Sequence, residues 1–100
     1  SVKNIDTTAN TEPLPQIASF NLRDGQKVSR YQNIRVTADK NTRKINLKAN
    51  GGVIAIANGN SLSYRWNTWE TMPRGSNITV TTEAFNAKGD ITSRTVTVRN

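Results

Sequence analysis

Few residues in this sequence have the chemistry that catalysis or metal binding requires. There is no histidine and no cysteine, which excludes Ser–His and Cys–His pairs and removes the usual zinc ligands. The seven carboxylates lie mostly in predicted turns, and a glycosidase-like carboxylate pair is the one acid–base arrangement left open. We therefore predict that the domain is not an enzyme and binds neither a metal nor a cofactor.

Two aromatic residues are candidates for contact with a partner. Trp69 follows Trp66 but falls off the alternating apolar row, so we expect it on the surface, with Tyr31 elsewhere on the surface. An exposed indole can stack on a sugar ring or anchor a protein partner. The alternative is that Trp69 covers the end of the fold or packs on a neighbouring domain.

Basic residues provide a second set of candidates. The formal charge of +7 attracts polyanions, although it could equally keep a small domain soluble. Arg43, Lys44 and Lys48 surround one predicted strand, and Arg35 and Arg65 become neighbours if their strands pair. Such side chains can also form a solvated face that guards against edge aggregation. Because the strands lack interleaved aromatics, we expect no specific nucleic-acid binding.

The stretch from residue 60 to residue 86 indicates what must position these side chains. Leu62, Tyr64 and Trp66 alternate with polar residues, and the same period of two returns after a loop. Alternation of this kind is typical of strands with one buried face. We predict that Trp66 is the centre of the core. The second apolar row comprises Ile78, Val80, Thr82 and Ala84.

Further strands are predicted on both sides of this stretch. They are Gln16 to Phe20 (with a bulge or an edge position), Lys27 to Ser29, Asn33 to Asp39, Lys44 to Asn50, Val53 to Ala57 and Ile91 to Arg99. Asn50-Gly51-Gly52 supplies a hairpin turn. No segment has helical spacing of apolar residues. We predict an all-β, immunoglobulin-like antiparallel β-sandwich of about seven or eight strands.

The N-terminal region differs in composition from the rest. Residues 1–15 are polar and end in Pro13 and Pro15, which predicts a linker or flexible tail before a domain at 16–100. The alternative is a short edge strand around Val2 to Ile5. We see no signal peptide and no apolar run that could span a membrane. The start at Ser1 suggests a piece excised from a larger protein.

Five motifs, taken in order, resemble those of bacterial immunoglobulin-like (Big) domains. The resemblance covers about residues 15 to 100, in which the family has an early Asp-Gly-x-x-Val turn, a Val-x-Phe-x-Val-Asp-Gly hairpin, a Trp-Asp-Thr element, a Leu-x-x-Gly-Ser turn and an Ala-x-Asp-x-x-Gly-Asn corner. The matching segments here are 24–28, 44–51, 63–68, 72–76 and 79–90.

This resemblance implies a function. It indicates a non-catalytic accessory domain of a secreted bacterial protein, such as a protease or glycosidase, that spaces, stabilises or docks the main domain. The implied location is extracellular or on the cell surface, and the implied partner is a neighbouring domain. Two alternatives are a module that binds polysaccharide or another anionic surface, and a structural module of an adhesin or phage particle.

Four positions depart from the family pattern. Asn50, Asn67 and Asn86 stand where carboxylates are common, and Asp90 stands where asparagine is common. An amide can keep a turn hydrogen bond but is a poorer ligand for a hard cation. The resemblance therefore carries no calcium site to these positions.

Overall fold

The computed structural model describes residues 13–71 and 75–99. Short strands joined by tight turns make up most of this part of the chain. In chain order the elements are β1 (Ile17–Phe20), β2 (Tyr31–Ala38), β3 (Lys44–Ala49), β4 (Gly52–Asn58), β5 (Ser61–Asn67), α1 (Thr68–Thr71), β6 (Asn77–Phe85) and β7 (Ile91–Arg99).

These strands form two antiparallel sheets, which confirms the predicted β-sandwich. The three-stranded sheet has the order β1-β2-β5, and the four-stranded sheet has the order β4-β3-β6-β7. Strand β4 pairs with β3 rather than with β5. This pairing differs from the constant-type immunoglobulin sandwich, in which the fourth strand joins the sheet of the fifth.

The core lies between the two sheets, where the predicted alternating rows meet. Trp66 is 1% exposed, which confirms its predicted burial. The inward residues of β2, β3 and β6 are buried, while their neighbours face outward. Among the described strand residues, those with no exposed area are Ile34, Val36, Ile45, Leu47, Ile78, Val80, Thr82, Ala84 and Val98.

The predicted strand at Lys27 to Ser29 is wrong. Only one parallel bridge forms there, between Lys27 and Arg99. The segment nevertheless runs beside β7: Val28 N donates to Arg99 O (2.8 Å) and Gly25 N to Thr97 O (2.6 Å). Its pairing with the edge strand β7 is limited to one bridge and a few hydrogen bonds, which is too short a contact for apolar alternation to distinguish it from a strand.

A single helical turn, α1, also departs from the expectation of no helix. Asn67 caps it, since its Oδ1 accepts a hydrogen bond from Trp69 N at 3.1 Å. The helix has four residues, which is too short to produce a detectable helical period. It connects β5 to the loop that precedes β6.

Local backbone features agree with the sequence at one turn and in an edge strand. Asn50 and Gly51 have φ angles of 48° and 88°, as the predicted hairpin requires. The pairing of β1 shifts register between Ile17 and Ser19, which confirms the expected bulge at an edge strand. Strand β4 includes the predicted strand at Val53 to Ala57 but lacks clean alternation, and Ile56 on it is 61% exposed.

The described residues begin inside the predicted linker. Pro13 O accepts a hydrogen bond from Asn86 Nδ2 at 3.0 Å, and Pro15 is fully buried. The boundary between residues 15 and 16 stays a prediction. The alternative strand around Val2 to Ile5 lies outside the described residues. So does Met72, which the sequence predicts to turn its apolar side chain back into the core from the loop before β6. Within the described part, no helix has the length and apolar character needed to cross a bilayer.

Asp39 organises the turn after β2 and makes the free energy of unfolding depend on pH. Its carboxylate accepts hydrogen bonds from Asn41 N (3.2 Å) and Thr42 Oγ1 (3.1 Å). Partial burial would raise the pKa of Asp39, but hydrogen bonds from the Gln16 backbone, Thr42 and Asn41 outweigh it and lower the pKa. A carboxyl group with a lowered folded pKa contributes stability above its unfolded pKa and loses it as the pH falls through the folded pKa.

We therefore expect the stability difference between wild type and Asp39→Asn to be largest at pH 7. It should shrink as the pH falls below about 4, the ordinary pKa of an aspartate in the unfolded chain, and disappear once the pH is below the lowered folded pKa of Asp39. Urea denaturation at pH 7 and at lower pH measures both proteins. A difference that stays constant across this range would contradict the assignment.

Candidate functional site

Four exposed side chains meet at one end of the three-stranded sheet. The Arg30 guanidinium carbon lies 4.4 Å from the centre of the Trp69 ring and 5.1 Å from that of Tyr31. The Arg65 guanidinium carbon lies 4.6 Å from the Tyr31 ring centre. We call Arg30, Tyr31, Arg65 and Trp69 the arginine–aromatic cluster. All these distances fall within the range of cation–π attraction.

Thr68 holds the two chain segments of the cluster together. It has no exposed area, and its backbone N–H donates to Arg30 O at 2.8 Å. Its hydroxyl contacts Ser29 O at 3.0 Å and Arg30 O at 3.2 Å. These contacts join α1 to the segment before β2, so Trp69 and Arg30 are positioned by a buried polar anchor rather than by surface contact alone.

Strand register places the remaining members on one outward face. Tyr31 is opposite Asn67, and Asn33 is opposite Arg65, so Tyr31 and Arg65 are diagonal neighbours across the strand pair. The pairing of these strands was expected. Arg35 lies farther along the same face, opposite Ser63.

Trp69 and Tyr31 are both exposed, as expected, but they lie close together rather than on separate parts of the surface. Trp69 is 43% exposed and Tyr31 is 46% exposed. The sequence placed Tyr31 elsewhere on the surface, whereas the structure joins the two rings through Arg30. Arg30 was missed because it precedes β2 and belongs to no alternating row. Its adjacency to Tyr31 was the only local signal.

The second group of basic residues lies on the four-stranded sheet and makes contacts within the chain. Lys48 Nζ is 3.3 Å from Glu83 Oε1, and Lys44 Nζ lies 4.4 Å from the Phe85 ring centre. An Arg43 guanidinium nitrogen donates to the backbone oxygen of Lys40 at 3.1 Å. The structure does not bring this group together with the arginine–aromatic cluster, and its role in binding stays a prediction.

Other features in the described ranges offer less chemistry. No group of three or more histidine, cysteine, aspartate or glutamate side chains is arranged there to hold a metal ion. A cleft of about 500 Å³ is lined by Asn21 and by residues 23–26. Asp24 in this cleft accepts a hydrogen bond from Thr97 N at 2.8 Å, so its carboxylate has a structural use.

A solved structure supports the classification of the fold. The chain is similar to the fibronectin(III)-like modules of Clostridium thermocellum CbhA, with 16% sequence identity and a TM-score of 0.60. The match covers 85% of this chain and 93% of that chain. The domain has an immunoglobulin-like or fibronectin type III-like fold.

Sequence-level comparisons add nothing to this classification. No family model matches the chain, and no curated protein matches it. The specific resemblance to bacterial immunoglobulin-like domains therefore stays a prediction.

Proposed function

We propose that this chain is a non-catalytic accessory domain of a secreted bacterial protein, such as a protease or glycosidase. It spaces, stabilises or docks the main domain, at an extracellular or cell-surface location. The observation that carries this proposal is the structural similarity to the CbhA fibronectin(III)-like modules over most of both chains.

The uses of the acidic side chains support a non-catalytic role. Within the described ranges, four carboxylates stabilise turns, bond to an edge strand or form an ion pair. They do not converge in pairs on a cleft. Their partners are Thr97 for Asp24, Asn41 and Thr42 for Asp39, Lys48 for Glu83, and Asn86 for Asp90. Such groups are held as acceptors and are poorly placed to exchange protons with a substrate.

The gene that encodes this chain provides the first test. We expect it to encode an export signal and a separate catalytic domain. Deleting this domain should leave the kcat of that catalytic domain on a small soluble substrate within about twofold, since the chemistry is elsewhere. Turnover by the isolated chain would overturn the proposal, and so would a gene product without export signal or second domain.

A further inference from the structure

The positive charge on the outer face of the three-stranded sheet is largely unpaired with acidic side chains. Arg35 and Arg65 point outward from β2 and β5, and Arg30 immediately precedes β2. In residues 13–71 and 75–99, no carboxylate forms an ion pair with any of these three arginines. Glu70 is exposed next to Trp69, and it is the acidic residue nearest in sequence to the cluster.

Stacking on aromatic rings prepares two of these guanidinium groups for binding. The N–H donors of a guanidinium lie in its plane, so a ring on its face leaves the donor edge available. Arg30 contacts both rings, and Arg65 contacts Tyr31. A held side chain loses less conformational entropy when it binds an anion. The donor edges match a carboxylate, which can accept two parallel hydrogen bonds.

The surroundings of the cluster favour a saccharide chain over a nucleic acid. Neighbouring outward side chains on β2 and β5 are amides and hydroxyls, including Asn33, Ser61 and Ser63, which can hydrogen-bond sugar hydroxyls. Guanidinium groups lie over the rings of Tyr31 and Trp69, whereas single-stranded nucleic acid needs aromatic faces on which bases can stack.

We infer that this face binds an acidic polysaccharide through the donor edges of Arg30 and Arg65. Arg35 extends the positive track along β2, and Trp69 acts as a positioning residue that holds Arg30. This differs from the stacking of Trp69 on a sugar ring that the sequence suggested, because the indole is engaged with a guanidinium. The binding role goes beyond an accessory role, and either could fail without the other.

Binding to sodium polygalacturonate, measured by isothermal titration calorimetry, tests the inference. We expect wild-type binding at about 50 mM NaCl that weakens steeply by about 200 mM. Arg30→Ala and Arg65→Ala should each weaken binding by about tenfold. Arg30→Lys should also weaken it, since lysine keeps the charge but lacks the planar donor fork. Far-UV circular dichroism and urea denaturation confirm that each variant is folded.

Arg94→Ala is the matched control on the opposite sheet. It removes one exposed guanidinium from β7, outside the proposed face, and we expect less than about a twofold loss of binding. An equal loss in Arg94→Ala and Arg30→Ala would overturn the inference in favour of net charge alone. Absence of binding at low salt would also overturn it. So would equal binding of neutral dextran, or tighter binding of oligodeoxythymidylate of matched charge.

Discussion

Replacing Trp66 with alanine is expected to lower the free energy of unfolding by about 3–5 kcal/mol, the largest effect of any single change considered. The indole is 1% exposed and lies among the apolar rows of both sheets, so its removal leaves a cavity that rigid strands cannot fill. Small domains have total stabilities of about 5–15 kcal/mol. Urea denaturation followed by far-UV circular dichroism measures the loss.

Trp69→Ala is the matched control for that experiment, because it removes the same side chain from the surface. Trp69 is 43% exposed and contacts Arg30, so the expected loss is at most about 1 kcal/mol. Similar losses in the two variants would show that the core is not centred on Trp66. Comparing the two variants thus separates the effect of burial on stability from the effect of losing an indole side chain.

Asn86→Asp is expected to destabilise the domain by about 2 kcal/mol, the second largest effect. Asn86 is 4% exposed. Its Nδ2 donates to Pro13 O at 3.0 Å and to Asp90 Oδ2 at 3.2 Å. Its Oδ1 accepts from Asp90 N at 2.9 Å. A carboxylate at position 86 keeps the acceptor but removes both donor contacts and faces the negative charge of Asp90.

The double variant Asn86→Asp/Asp90→Asn tests the origin of that loss. It restores a donor beside an acceptor and should recover about half of the stability, leaving the contact with Pro13 unmade. Asp90→Asn alone should cost less than Asn86→Asp, because an amide oxygen can still accept from Asn86. Additive effects of the two changes in urea denaturation would contradict direct coupling between these side chains.

The pairing of Asn86 with Asp90 also explains a departure from the family pattern. The resembled corner has a carboxylate first and an amide second, and this chain has them exchanged. The structure shows the Asn86 amide donating to the Asp90 carboxylate, and the exchanged order would equally place a donor beside an acceptor. The resemblance marked the two positions, but only the fold showed that they contact each other.

Most of the β-sandwich could be predicted because alternate side chains of a strand face opposite sides of the sheet, so the two-residue period shows which of them are buried. The inward positions Ile34, Val36 and Ala38 follow from alternation alone, and all three are buried. Asn50-Gly51 predicted a hairpin because both residue types tolerate the positive φ angles that the turn requires, and both have them. These signals are local, so they need no knowledge of which strands are neighbours.

The candidate site could not be predicted to the same extent, because it depends on register between distant segments. Arg30 and Trp69 meet only because buried Thr68 binds the backbone before β2. A threonine after a strand gives no sign of such a partner in the sequence. The arginine–aromatic cluster therefore required the three-dimensional contacts.

The path of the chain has a mechanical consequence. Pro13 is held at the corner between β6 and β7, whereas Arg99 lies at the far end of β7, bonded to Gln26 and Val28. Tension applied between Pro13 and Arg99 would run parallel to β7 and load those hydrogen bonds together in shear. We expect the domain to rupture at higher force than one whose strands can be peeled apart singly.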